Sequence, residues 1–83
     1  MNGPRVGRVT HYFNRIQVAV LQLESPLALG DWVRFIRRGY VLFDQEVTSM
    51  QIEHQHIQAA EAGEEVALKV VDEVGEGAEV FRL

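Results

Sequence analysis

The 83-residue chain is predicted to be all-β, a small closed antiparallel six-stranded β-barrel that occupies residues 1–83 as a single domain. Short runs rich in β-branched and aromatic residues recur along the chain, and no amphipathic helix of useful length separates them. A glycine turn leads into several of these runs. Short strands entered through tight turns are typical of small antiparallel barrels.

The glycine turn is carried by Gly30, Gly63 and Gly77. In each copy an acidic residue follows within two positions and a valine opens an apolar run. Glycine reaches the positive φ that such a turn often requires, and an acidic side chain can bind backbone amides at the turn exit. We therefore expect positive φ at these glycines and bonds from the neighbouring acids to the backbone.

The strands follow from the apolar pattern and its interruptions. Strand one ends in a hairpin at Asn14-Arg15, strand two ends before Pro26 because proline cannot donate to a ladder, and Leu21 to Leu23 indicate a bulge or burial on both faces. Strand four contains a second expected bulge, between Val47 and Met50. The six predicted strands cover residues 5–13, 16–24, 32–38, 43–53, 65–71 and 79–83.

Residues 57–62 contain good helix formers but are too few for a stable helix. We expect one turn of helix there at most, ended by Gly63. The side chains predicted to fill the barrel or its ends include Phe13 and Phe43, with Trp32 either in the barrel or on its surface.

Composition narrows the class of protein. With 47% hydrophobic and 24% charged residues, the chain is too apolar to be disordered. It has no cysteine, which excludes disulfides and thiolate metal sites. Neither a membrane-length apolar run nor the apolar core of a signal peptide is present. We expect a cytoplasmic protein without membrane contact, a monomer or weak homo-oligomer.

Charge is distributed unevenly. Residues 1–42 carry six arginines against two acids, a net +4, whereas residues 43–83 carry two bases against ten acids, a net −8. Such asymmetry can mark a surface for an anionic partner, since phosphate binding depends on local potential. Alternatively, the two halves interleave in space and their charges offset one another.

Five motifs stand in an order that resembles a known family. They are Gly7-x-Val9, Leu27-x-x-Gly30-Asp31-x-Val33, Val47-x-Ser49-Met50-Gln51-Ile52, Ala60-x-x-Gly63-x-x-Val66-x-Leu68 and Gly77-x-x-Val80. Together they resemble the second, β-barrel domain of elongation factor Tu and other translation GTPases, over nearly the whole chain. The closer resemblance is to the version of this barrel at the C-terminus of U32 collagenase-like peptidases and in free-standing elongation-factor-like proteins.

The resemblance implies a binding role. In elongation factor Tu this domain helps to hold the aminoacylated end of transfer RNA, with a glutamate and an arginine near the terminal adenosine. The matching positions here are Gln51 and His54, so that charged pair is absent. The chain also lacks a phosphate-binding G-x-x-x-x-G-K-[ST] loop, and we expect it to bind no nucleotide.

Aromatic and arginine side chains are the other candidates for partner binding. Their mixture suits stacking on nucleic acid or a protein hot spot, and arginine's planar group suits phosphate or carboxylate. The predicted partner-binding residues, including the two from the resemblance, are Trp32, Arg34, Arg37, Arg38, Tyr40, Gln51 and His54.

Catalysis is not predicted. His54 and His56 would share a face of an extended segment and could begin a metal site with Glu53 or His11, but histidines in a polar loop are more often solvated. We expect no cofactor, no metal site and no enzymatic activity.

Besides a metal-dependent enzyme, which is the least favoured hypothesis, two functions fit this interpretation. In the first, the chain is a non-catalytic module that engages RNA or a ribonucleoprotein partner, and replacing Arg34, Arg37 and Arg38 by glutamate abolishes salt-sensitive RNA binding. The alternative is a protein-binding accessory barrel or subunit for a separate U32 peptidase-like enzyme.

Overall fold

The computed structural model describes residues 3–83, and this part of the chain forms ten β-strands and no helix. The all-β prediction is confirmed. The strands are β1 (Arg5–Phe13), β2 (Val18–Leu23), β3 (Leu27–Ala28), β4 (Trp32–Arg37), β5 (Tyr40–Glu46), β6 (Met50–Ile52), β7 (Gln55–Ile57), β8 (Ala59–Ala60), β9 (Glu65–Lys69) and β10 (Glu79–Arg82). Nothing in residues 3–83 is a helix long and apolar enough to cross a membrane.

Eight strands form one antiparallel sheet in the order β5-β4-β10-β1-β2-β9-β6-β7, and β3 pairs with β8 in a second, two-stranded sheet. The prediction of a closed six-stranded barrel is therefore wrong in strand number and in closure. The edge strands β5 and β7 are not paired with each other. The expected helical turn at 57–62 is also wrong, because these residues end β7 and form β8.

The predicted fourth strand is divided at Val47. Val47 continues the antiparallel pairing one residue beyond the start of β4, opposite the glycine turn: its amide donates to Asp31 O at 2.8 Å and its carbonyl accepts from Gly30 N at 2.9 Å. Residues 47–49 belong to no strand, so the expected bulge between Val47 and Met50 is a break between β5 and β6.

A buried amide joins the free edge of β5 to the end of β9. Gln45 is the buried polar side chain of the described residues, with 4% of its surface exposed. Its Nε2 donates to Lys69 O at 3.0 Å, and its Oε1 accepts from Val71 N at 2.9 Å. The Gln45 side chain thus makes the two hydrogen bonds that the backbone of a neighbouring strand would make. It links β5 to the end of β9, two strands that are not paired with each other.

The core lies on the concave side of the curled sheet. In β2 the side chains of Ala19, Leu21 and Leu23 are buried, with regular alternation. The bulge considered for β2 lies instead in its partner β1, between Val9 and His11. The remaining fully buried apolar side chains come from most strands and include Val6, Val33, Phe35, Met50, Val66, Leu68, Val70 and Val80.

One of the two phenylalanines predicted to fill the barrel or its ends lies on the surface instead. Phe43 is half-buried and stacks on Phe35 with ring centroids 4.8 Å apart, as expected of a core residue. Phe13 is 45% exposed, so its predicted place in the barrel is wrong. Trp32, left open between core and surface, is 52% exposed.

The glycine turns are confirmed. Gly30, Gly63 and Gly77 have φ of 92°, 91° and 86°. Asp31 Oδ2 accepts from Ala28 N at 2.8 Å, and Glu64 Oε1 accepts from Glu61 N at 2.7 Å. In these two copies the acid therefore binds an amide three residues earlier, at the start of the turn and not at its exit as predicted.

Replacing Gly63 by valine is expected to lower the free energy of unfolding by more than about 1 kcal/mol, because a β-branched residue fits poorly at positive φ. Nothing lies within 4 Å of a Cβ placed there, so the cost is conformational. Urea denaturation measures it. Gly63→Asn is the control, since asparagine tolerates this region better, and equal losses for the two variants would contradict the explanation.

Candidate functional site

The β4–β5 hairpin brings together five of the predicted partner-binding residues. Its two-residue turn has positive φ at Arg38 (52°) and Gly39 (82°), the geometry that matches the twist of a tight hairpin. Trp32, Arg34 and Arg37 lie on β4, and Tyr40 begins β5. Tyr40 is 77% exposed, so the tip presents an aromatic ring next to a cation.

Arg34 does not offer a spare charge on this hairpin. It is paired across the strands with Asp44, and Nε and Nη2 reach the two carboxylate oxygens at 2.7 and 2.9 Å. The hydrogen bonds from Arg34 lower the pKa of Asp44 below its ordinary value. A bidentate pair of this kind holds both side chains in one geometry.

Arg37 also lies among acids. Its guanidinium packs against the backbone of Gly75, where a Cβ would overlap it, and it lines a cavity together with Glu73 and Glu76. Arg38 is exposed at the turn. The predicted basic surface therefore consists of one exposed arginine beside two whose surroundings carry negative charge.

The two halves of the sequence interleave in space, as the second interpretation of the charge asymmetry expects. Strand β10, from the acidic half, lies between β1 and β4 from the basic half. Two ion pairs join the halves: Arg5 pairs with Glu79, and Arg82 pairs with Asp31 at 2.6 Å. The asymmetry along the sequence is thus not an asymmetry between two faces.

A titration can test the Arg34–Asp44 pair. We expect the Asp44 carboxyl to titrate below about 3.9, the ordinary value for aspartate. Because its folded-state pKa is lowered, the pair stabilises the protein above the unfolded-state pKa, and this contribution is lost as pH falls through the folded-state pKa. Carbon-detected NMR of Asp44 measures the midpoint, which Arg34→Gln should raise; an unshifted midpoint in the wild type would contradict the pairing.

Gln51 and His54 lie on the β6–β7 hairpin, at the other end of the strand order from β5. Gln51 Nε2 and His56 Nε2 are 3.4 Å apart. The turn residues Glu53 and His54 both have positive φ, 49° and 65°, where glycine or asparagine is usual. These two predicted residues therefore lie apart from the β4–β5 hairpin, and their roles stay predictions.

A groove that the sequence reasoning missed runs along the convex face of the sheet. Its floor is formed by Val18 and Val20 of β2 and by Ala67 of β9, which is the cross-strand partner of Val20. One wall is the end of the β1–β2 hairpin, with Phe13 and Ile16, which are 45% and 58% exposed. The signal available in the sequence was the run 16–21, in which apolar residues occupy both faces of the strand.

The opposite wall of this groove is the β6–β7 hairpin. Gln51 is cross-strand partner to both Ala67 and His56, which extends the floor to the hairpin, and Ile52 adds an apolar side chain. The charged residues that line the groove are Glu53, Glu64, Glu65 and Lys69. The convex groove is thus apolar at its floor and predominantly acidic at its rim.

Histidines do not assemble into a metal centre in the part of the chain that the structure describes. His11 and His56 lie at opposite ends of a cross-strand row that passes through Val20, Ala67 and Gln51. At about 4.8 Å per strand, that row separates them by far more than shared coordination allows. Residues 3–83 contain no group of three or more histidine or acidic side chains that could hold a metal ion.

Comparison with known proteins finds a longer relative and solved structures of the same fold. No protein-family model matches it. An uncharacterized protease of Methanocaldococcus jannaschii is 33% identical over 78 residues, which are 94% of this chain. The chain spans only 19% of that relative's length.

Solved structures show a shared fold. The C-terminal domain of a protein assigned to the U32 peptidases, from Geobacillus thermoleovorans, matches with a TM-score of 0.86 and 21% identity, over 94% of this chain and 90% of that domain. Its selenomethionine variant also gives 0.86, at 22% identity. The chain therefore has the fold of this C-terminal domain, and the resemblance to elongation factor Tu stays a prediction.

Proposed function

We propose that the chain is a non-catalytic, protein-binding domain that works with a U32 peptidase-like catalytic domain. The observation that carries the proposal is the fold match to a U32 C-terminal domain over 94% of this chain. The relative named as a protease supports it, because the chain corresponds to a small part of a much longer protein. In this role the domain recruits or positions a protein, and its partner supplies the chemistry.

The surface charges favour a protein over RNA as the partner. Binding to nucleic acid depends chiefly on cations that neutralise phosphates. Here Arg34 is engaged by Asp44, Arg37 lines a cavity together with Glu73 and Glu76, and Gln51 lies in a groove with an acidic rim. On the β4–β5 hairpin, an RNA-binding role, as in the second domain of elongation factor Tu, would depend chiefly on Arg38, which is exposed at the turn.

Co-purification tests the proposed function. The chain, tagged and expressed in its source cells, is recovered with and without ribonuclease treatment, and bound proteins are identified by mass spectrometry. We expect a U32 peptidase-like polypeptide to be enriched and to survive ribonuclease. Recovery of RNA alone, or of proteins that ribonuclease releases, would contradict the proposal.

A further inference from the structure

We propose that the convex groove between the β1–β2 and β6–β7 hairpins binds a basic amphipathic segment of a protein partner, with apolar side chains on the floor and lysine or arginine at the rim. The inference rests on the proposed protein-binding function and names the chemistry of the partner. It concerns a different surface from the β4–β5 hairpin, whose arginines were predicted from the sequence to bind a partner.

The floor of the groove supplies the apolar part of the recognition. Val18, Val20 and Ala67 form a contiguous strip on the convex face, which in a one-layer curled sheet is the face away from the core. Phe13 and Ile16 extend this strip with large, exposed side chains. Contiguous exposed apolar surface with a polar rim is characteristic of protein interaction sites.

The rim supplies the charge selection. Glu53, Glu64 and Glu65 line the groove together with Lys69, and with His54 and His56 counted as neutral the local balance at pH 7 is negative. A partner with lysine or arginine beside its apolar residues is attracted there, whereas phosphate groups are repelled. This charge complementarity selects a basic peptide segment and disfavours RNA and acidic peptides.

Both walls are hairpins that end beside the groove. In the β6–β7 hairpin the strained turn at Glu53 and His54 places an acidic side chain at the rim. In the β1–β2 hairpin Gln17 also has positive φ, 54°, directly after Ile16. The tight turns fix the positions of the groove's two projecting walls, so little order has to be gained on binding.

Selection from a phage-displayed library of random peptides on the wild-type chain gives the first test. We expect enriched sequences in which lysine or arginine flanks aliphatic or aromatic residues. The best clone is then made as a labelled synthetic peptide, together with a version in which its bases are glutamate. Only the basic peptide should bind in fluorescence anisotropy, and its affinity should fall with added salt.

Matched variants locate the site. Glu53→Lys combined with Glu65→Lys should weaken peptide binding about tenfold. Glu46→Lys combined with Glu73→Lys changes the net charge equally but lies outside the groove, and it should leave binding unchanged. Ile16→Ser should also weaken binding, whereas Val71→Ser, at an exposed apolar residue away from the groove, should not.

The outcomes separate the inference from the proposed function. Failure to enrich any sequence, an acidic consensus, or equal binding by the groove variants and their controls would overturn the groove. So would self-association of the chain that the groove variants abolish, since the occupant would then be a second copy. If a U32 peptidase-like protein co-purifies equally with the wild type and the groove variants, the proposed function is supported and the proposed role of the groove is contradicted. If basic peptides bind the groove but no such protein co-purifies, the role of the groove is supported and the proposed function is contradicted.

Discussion

Replacing Gly7 by alanine is expected to lower the free energy of unfolding by about 3 kcal/mol. A Cβ at this position would overlap the carbonyl oxygen of Gln22 and would lie 3.2 Å from the Cα of Leu23. Both neighbours are backbone atoms of β2, which is paired with β1, so relief requires the two central strands to separate. The close approach of β1 and β2 thus explains why a residue without a side chain stands at position 7.

Urea denaturation of Gly7→Ala measures this cost, and Gly39→Ala is the matched control. Gly39 has positive φ, but nothing lies within 4 Å of its added Cβ. The control should therefore lose only the conformational cost, about 1 kcal/mol. If Gly7→Ala lowers the free energy of unfolding no more than Gly39→Ala does, the predicted steric cost of a Cβ between the two strands is contradicted.

Gln45→Glu is expected to destabilise the protein by about 3 kcal/mol at neutral pH. The wild-type amide donates to Lys69 O and accepts from Val71 N. A carboxylate retains the acceptor but places a buried charge against a carbonyl oxygen. A protonated carboxyl group can make both bonds, so the loss should depend on pH.

The direction of this pH dependence follows from the pKa of the new carboxyl group. Burial and the nearby carbonyl raise its folded-state pKa above the unfolded value of about 4.3. The folded state then binds more protons, so the variant loses stability relative to wild type as pH rises through the interval between the two values. Gln45→Met, which leaves both backbone groups unpaired at every pH, is the control. A stability difference between Gln45→Glu and wild type that does not change with pH would contradict the role assigned to the amide.

Strand positions could be predicted where apolar runs are bounded by turn residues. The limits of β1, Arg5–Phe13, were predicted as observed, and the turns at Gly30 and Gly63 were recognised from glycine followed by an acid. The strands β3 and β8 were missed because two-residue strands have no period, and their pairing depends on contacts between distant parts of the chain.

The departure from a closed barrel has a similar cause. Local sequence does not reveal that the chain beyond β5 pairs through Val47 with Gly30 and Asp31, or that the side chain of Gln45 bridges β5 to β9. These contacts depend on the curvature of the assembled sheet. The pattern of apolar residues therefore indicated short strands and tight turns, and tertiary contacts determined how the edges meet.

The residue types of the candidate site could be predicted from the sequence, but the spatial neighbours of each residue could not. Arginines and aromatics identified the β4–β5 hairpin, yet the partner of Arg34 is a cross-strand aspartate whose proximity depends on register. The groove is composed of side chains from both halves of the sequence, so no single motif marks it. Its one local signal was the apolar residues on both faces of 16–21.

Calorimetric titration of the purified chain with a purified U32 peptidase-like catalytic polypeptide from the same source tests the central claim most directly. We expect a saturable complex that replacing Arg34, Arg37 and Arg38 by glutamate leaves intact. Ribonuclease-treated preparations should give the same affinity. Absence of a protein complex, together with salt-sensitive RNA binding that the triple arginine variant abolishes, would contradict the account and return the chain to the RNA-binding class.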